Sequence, residues 1–239
     1  MIEDTKITIR DEKAELLSKG KTLNDNFLEA HELNKLLSTA KEYENITNYY
    51  TIFLLLSYTG LRRGEACGLQ WKDIDFTKKT LTVGRTRDNK GVRSPKTLNS
   101  YRTILIDDIL IQQLKSHKKW CRETKSKLGY DLVNSDFIFI SYQTGNPITD
   151  NTIIYSLRRI TKKADIKPIT PHGLRHTHAT LLLSQGKSAA SIKVVAERLG
   201  NTPQMILDIY GHTFLDLEEE SVQLFSEGLS GAKTGANTE

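Results

Sequence analysis

Cysteine is scarce in this chain: only Cys67 and Cys121 occur, and they form no Cys-x-x-Cys pair. That spacing excludes a disulfide framework and a thiolate zinc site, and it predicts free thiols in a reducing compartment. No run of about 18 apolar residues exists, which argues against a membrane-spanning helix. The N-terminal stretch MIEDTKITIRDEKAEL lacks the apolar core of a secretory signal, so the expected location is cytoplasmic. Acidic clusters and His/Cys sets at metal-ligand spacing are also missing, so neither a metal nor an organic cofactor is expected. Internal repeats are absent, and the one small-residue tract, 230–239, is expected to be a flexible tail.

What remains is an ordinary globular composition over 239 residues, 38% hydrophobic and 26% charged, enough for one large or two small domains. The net charge is +5, but it is unevenly spread. From Phe214 onward there are six acidic residues and one basic, a net of −5, which leaves +10 on residues 1–213. A basic body with an acidic tail points to a polyanionic partner, of which nucleic acid is the commonest.

Residues 1–24 read as a linker or N-terminal extension, with one short alternating piece from Lys6 to Arg10. Helical spacing of Phe27, Ala30, Leu33, Leu36 and Leu37 predicts a helix capped by Asn26. A strongly apolar helix follows near Thr47 to Tyr58 and breaks at Thr59-Gly60. Period-two patterning in Ile74 and Phe76, Leu81 and Val83, and Tyr101, Thr103 and Leu105 predicts a small antiparallel sheet. The link from Arg87 to Asn99 is basic and rich in turn formers, so an exposed hairpin is expected there. Helices are predicted from Asp108 to Lys127 and from a Thr149 cap to Ala164, with Phe137 to Ile140 as a short buried strand. The expected class is α+β: mainly helical, with a small antiparallel β-sheet.

The stretch 170–212 carries the chemistry. Pro171 opens a helix that sets His172 and Arg175 three apart on one face. Another apolar-periodic helix, from about Ser188 to Leu199, stops at Gly200, and a short helix then delivers Tyr210. Arg62 and Glu65 follow the Thr59-Gly60 break, and Lys96 sits in the basic link. Two arginines can present forked donors to phosphate oxygens as charge concentrates in a pentacoordinate transition state. A tyrosine, with a pKa near 10, needs a base within reach, and a neutral His172 qualifies. A lysine on a closing loop can protonate a departing alkoxide.

The segments TGLRRGEACGL (59–69), SPKTLNSYRTI (94–104), HGLRHTHATLL (172–182) and ERLGNTPQMILDIYGHT (197–213) resemble the tyrosine recombinases, a family of phage and conjugative-element integrases and chromosome-dimer resolvases. The likeness runs from about residue 25 to 228, and residues 25–229 are expected to form the catalytic domain. The resemblance implies site-specific recombination of double-stranded DNA through a 3′-phosphotyrosyl intermediate, without a cofactor. Tyr210 would be the nucleophile, Arg62 and Arg175 would bind the scissile phosphate, Lys96 would be the general acid and His172 the general base. Glu65 would orient its neighbours. The protein is expected to be a monomer when free and a homotetramer on synapsed sites, with the helix through Val222, Phe225 and Leu229 docking on a neighbour. Arg63, Arg87, Lys90 and Arg93 are expected DNA contacts, whereas His176, His178 and His212 are assigned to packing or local structure.

Two departures stand out. The family carries histidine or sometimes tryptophan where this chain has Asn201, which replaces a charge-assisted phosphate contact with a neutral one. On that reasoning Asn201→His would accelerate cleavage about ten-fold. The N-terminal helical clamp domain typical of integrases also has no counterpart here, so a catalytic-domain fragment or a natural short form is expected. The competing functions are a type IB topoisomerase-like enzyme, which needs no partner site, and a non-catalytic DNA-binding relative.

Overall fold

The computed structural model describes residues 26–43, 49–95, 97–184 and 191–210. Helix α1 (Ala30–Tyr43) seats Leu33, Leu36, Leu37 and Ala40 in the core. It starts at Ala30 rather than at Asn26. Leu28 dives into the interior instead, and its N–H donates to Thr177 Oγ1 at 2.9 Å. The Glu29 N–H donates to Glu32 Oε2 at 2.8 Å, which satisfies one of the N–H groups that a helix start leaves unpaired. A tertiary contact thus took the residues that the helical period had claimed.

Helix α2 (Tyr49–Thr59) is buried on every side from Thr51 to Ser57, as a helix apolar all round must be. Truncating its fully buried Phe53 to alanine would cost about 3–5 kcal/mol. The chain leaves α2 through Gly60, at φ +64°, where a side chain would collide with Leu199 and His178. Short helix α3 (Arg63–Gly68) follows directly.

Strands β1 (Ile74–Asp75), β2 (Thr80–Val83) and β5 (Arg102–Leu105) form an antiparallel sheet in the order β1-β2-β5, with Leu81 opposite both Ile74 and Ile104. Strands β3 (Thr86–Asp88) and β4 (Gly91–Arg93) form the expected hairpin. In β5 the inward side is opposite to the one the sequence pattern suggested. Thr103 and Leu105, with Tyr101 just before the strand, face solvent, while Arg102 and Ile104 point inward. A shift of one residue exchanges the two faces of a strand, and here it brings a charged side chain inside. Phe137 to Ile140 forms no strand; isolated bridges pair Gln70 with Phe137 and Ile140 with Pro147, although Ile138, Phe139 and Ile140 are buried as expected.

Helices α4 (Asp108–Lys127) and α5 (Asp150–Lys163) begin at the side-chain caps Asp107 and Thr149. Helix α6 (Pro171–Leu183) opens with Thr170 Oγ1 accepting from the Gly173 N–H at 2.9 Å. Helix α7 (Ile192–Leu199) starts at a Ser191 cap, later than the expected Ser188, and ends on Gly200 in the left-handed conformation. Helix α8 (Pro203–Tyr210) completes the described chain. Most elements share one large core, whereas Ala179, Leu183, Val195, Ala196, Leu199, Ile206 and Tyr210 form a second, smaller one. That smaller core binds the tyrosine helix to the helix carrying Arg175. Among the described residues, no helix is long and apolar enough to cross a membrane.

Candidate functional site

Three breaks in regular structure converge at one place: the exit from α2, the start of α6 and the end of α7. Arg175, on α6 and only 3% exposed, donates through Nη1 to the Gly60 carbonyl at 2.8 Å. Its Nη2 donates to Asn201 Oδ1 at 3.1 Å. Arg62 Nη2 donates to the same oxygen at 2.7 Å. Two guanidinium groups distant in sequence therefore share one acceptor. The atom facing them must be the amide oxygen, because an amide nitrogen would oppose donor to donor.

Glu65 keeps these like charges together. Its buried carboxylate accepts from the Arg62 N–H at 2.9 Å and from Arg62 Nη1 at 3.0 Å. Burial alone would raise its pKa, but the hydrogen bonds and charge of Arg102, with Arg62 behind them, hold it below the usual carboxylate range. Burial and the neighbouring Arg62 push Arg175 down to about 9, so it remains charged at neutral pH. The Arg62 side chain is 38% exposed, so the pair presents one accessible guanidinium and one buried one.

Tyr210 is 4% exposed, and its hydroxyl lies 2.7 Å from His176 Nδ1. The exposed His172 ring meets His176 edge-on at 4.4 Å between centroids. His176, expected to serve packing, is buried and also meets the phenol, with His172 in the next layer. Two residues along α6, His178 donates through Nδ1 to the Ser57 carbonyl at 2.8 Å and accepts at Nε2 from Arg198 at 3.0 Å. Burial, with the charge of Arg198, holds its pKa down to about 4, so the ring is neutral and structural. His178 thus has the packing role expected of it, whereas the contact of His176 with Tyr210 is not legible in the sequence, because HTH on a helix looks the same whichever face is buried.

The four expected DNA contacts sit in different surroundings. Arg87 turns inward: it donates to the Cys67 and Ile148 carbonyls and lies over the Phe137 ring at 5.1 Å. Arg63 pairs with Asp150 at 3.0 Å, and Arg93 pairs with Asp88 across the hairpin. Each charge is thus engaged within the chain, since carboxylates and open carbonyls lie within reach of long side chains. Lys90 stands exposed at the hairpin tip, as expected. Lys96, His212 and the expected C-terminal helix lie outside the described residues, as do residues 1–24 and the tail 230–239.

A mostly helical domain thus gathers two arginines around one oxygen, beside a buried tyrosine. Residues 26–215 match the model of the phage integrase family, and the chain belongs to that family of tyrosine recombinases. It is 35% identical over 193 residues to a XerC-like tyrosine recombinase of Caldanaerobacter subterraneus subsp. tengcongensis, covering 74% of this chain and 48% of the relative. It is 32% identical over 200 residues to the ICEBs1 integrase of Bacillus subtilis, covering 81% and 52%. The chain thus spans about half the length of these curated relatives. Among solved structures, a Tn1549 transposon integrase in complex with a circular intermediate DNA superposes with a TM-score of 0.70 at 25% identity, covering 83% of this chain and 65% of that one. The XerA recombinase gives a TM-score of 0.62 at 25% identity, covering 82% and 62%.

Proposed function

We propose that this chain cleaves and rejoins double-stranded DNA in site-specific recombination, integrating or excising a mobile or phage element. The observation that carries this reading is the shared contact of Arg62 and Arg175 with one oxygen atom, Asn201 Oδ1. A pair of guanidiniums gathered in this way matches the donor arrangement that a phosphate oxygen requires, and its charge opposes that of the transition state. The Tyr210 oxygen attacks phosphorus as its proton passes to the histidine pair, with His172 the terminal base. The bond from phosphorus to the 5′-oxygen breaks, and Lys96 protonates the leaving alkoxide. A 3′-phosphotyrosyl link and a free 5′-hydroxyl result. Attack by another strand's 5′-hydroxyl reverses the step and conserves the bond energy.

Double-stranded DNA is the partner, with a monomer in the free state, a homotetramer on synapsed sites and a cytoplasmic location. Lys90 at the hairpin tip is available to the backbone phosphates. The test is incubation with nicked suicide substrates carrying candidate sites, read on a denaturing gel. The unsubstituted chain should give a covalent adduct, and Tyr210→Phe should give none at nearly unchanged DNA affinity. Adduct at normal yield from that variant would exclude Tyr210 as the nucleophile.

A further inference from the structure

Arg102 has the most completely engaged side chain near the site, although it belongs to none of the motif positions expected to act. Its side chain is 6% exposed and joins β5 to Glu65, to the Ser100 turn and to the end of α7. Nη2 donates to Glu65 Oε2 at 2.8 Å and Nη1 to Glu65 Oε1 at 3.2 Å, a two-pronged grip on the carboxylate. Nη1 also donates to the Ser100 carbonyl at 3.1 Å, in the turn that follows Lys96. Nε donates to the Arg198 carbonyl at 2.7 Å, one of the carbonyls that the end of α7 leaves unpaired. The positive group also suits the negative end of that helix. Gly200 presses on the same group: a side chain there would come within 2.8 Å of Arg102 Nη1. The next residue is Asn201.

We propose that Arg102 is a positioning residue for strand cleavage, one that fixes Glu65, and through it Arg62, against the segment presenting Asn201. Arg102 does not touch the phosphate. It aligns Arg62, held by Glu65, with Asn201, held by the α7 end, and it anchors the turn after the general-acid lysine. A lysine at this position keeps the charge but offers no planar fork, so it cannot hold both carboxylate oxygens and two carbonyls at once. The inference rests on the recombinase reading of the site.

The experiment compares Arg102→Lys, Glu65→Gln and the double variant by three measurements: single-turnover cleavage of a suicide substrate, DNA affinity, and the Arg62 Nε–H signal in NMR spectra. Arg102→Lys should cleave 30- to 100-fold more slowly with DNA affinity within three-fold of the parent. The double variant should be no slower than the worse single one, because both act on one connection. The Arg62 signal should broaden in Arg102→Lys while core amide signals stay in place; this readout needs no cleavage. An unsubstituted chain that forms no adduct would refute the recombinase reading, whereas the Arg62 signal still decides the role of Arg102. Parental cleavage by Arg102→Lys, an unchanged Arg62 signal, or cleavage loss that merely follows loss of folding and DNA affinity would overturn the proposal.

Discussion

Replacing Asn201 tests the site most directly, because its geometry reverses what the sequence suggests. Family resemblance reads this position as a donor to phosphate, so histidine should improve it. In the structure, however, the Asn201 oxygen accepts from Arg62 at 2.7 Å and Arg175 at 3.1 Å. A neutral imidazole has one acceptor lone pair and can receive from only one of them; protonated, it has none and adds a third positive charge. Hydrogen bonds from charged donors contribute about 1.5–3 kcal/mol each, and the lower figure suits a site partly open to water. Losing one should slow cleavage about ten-fold in Asn201→His, and losing both should slow it about a hundred-fold in Asn201→Ala. Asn201→Asp retains the acceptor but sets an anion where phosphate must bind, so it should lose DNA affinity as well. The assay is single-turnover cleavage on a suicide substrate, with DNA affinity and melting temperature measured in parallel. A histidine variant faster than the parent would refute the acceptor argument and restore the direct phosphate contact.

Three further outcomes follow from the same geometry. Lys96→Ala should slow cleavage of ordinary DNA strongly, and a substrate with a 5′-bridging sulfur, which needs little protonation, should recover much of the rate; no recovery would remove Lys96 from the acid role. His176→Phe keeps an aromatic ring, slightly larger, but removes the hydrogen bond to Tyr210, so cleavage should fall about ten-fold with unchanged DNA affinity, whereas an unchanged rate would reduce His176 to packing. His117 and His178 are both buried with pKa values held down to about 4, so the unfolded chain binds more protons between pH 6.5 and 4. Stability should therefore fall as pH drops through that window, by up to a few kcal/mol for each ring, and urea titrations at pH 7 and 5 with equal midpoints would contradict this.

The elements that could be read from sequence were those whose local pattern and tertiary role agree. Helices α4, α5 and α6 carry caps, a helix-opening proline or apolar spacing at the places where they begin, and they form there. Misreadings occurred where a distant partner decided the outcome. Leu28 bonds to Thr177 and delays α1, while Phe137 to Ile140 pairs through single bridges with Gln70 and Pro147. Arg62, Arg175 and Tyr210 were legible because motif order carries them. Arg102 and His176 were not: Arg102 lies on the strand face that looked polar, and His176 is one of three histidines on one helix.

The site's internal economy explains why residues outside the expected set matter. Arg62 and Arg175 repel each other, and burial makes holding Arg175 charged more costly, as its lowered pKa records. Glu65 offsets that repulsion, yet a buried carboxylate is itself costly unless its oxygens are fully paired. Arg102 supplies that pairing, and its own charge is accommodated by the Ser100 and Arg198 carbonyls. Each charge thus requires the next, and the chain ends on backbone carbonyls of the fold. Alignment of the arginines is consequently set during folding and, on the proposed function, need not be achieved at the moment of reaction. A substitution anywhere along Arg102, Glu65, Arg62 and Asn201 should therefore reduce the cleavage rate more than DNA affinity, whereas loss of an exposed charge such as Lys90 should do the opposite.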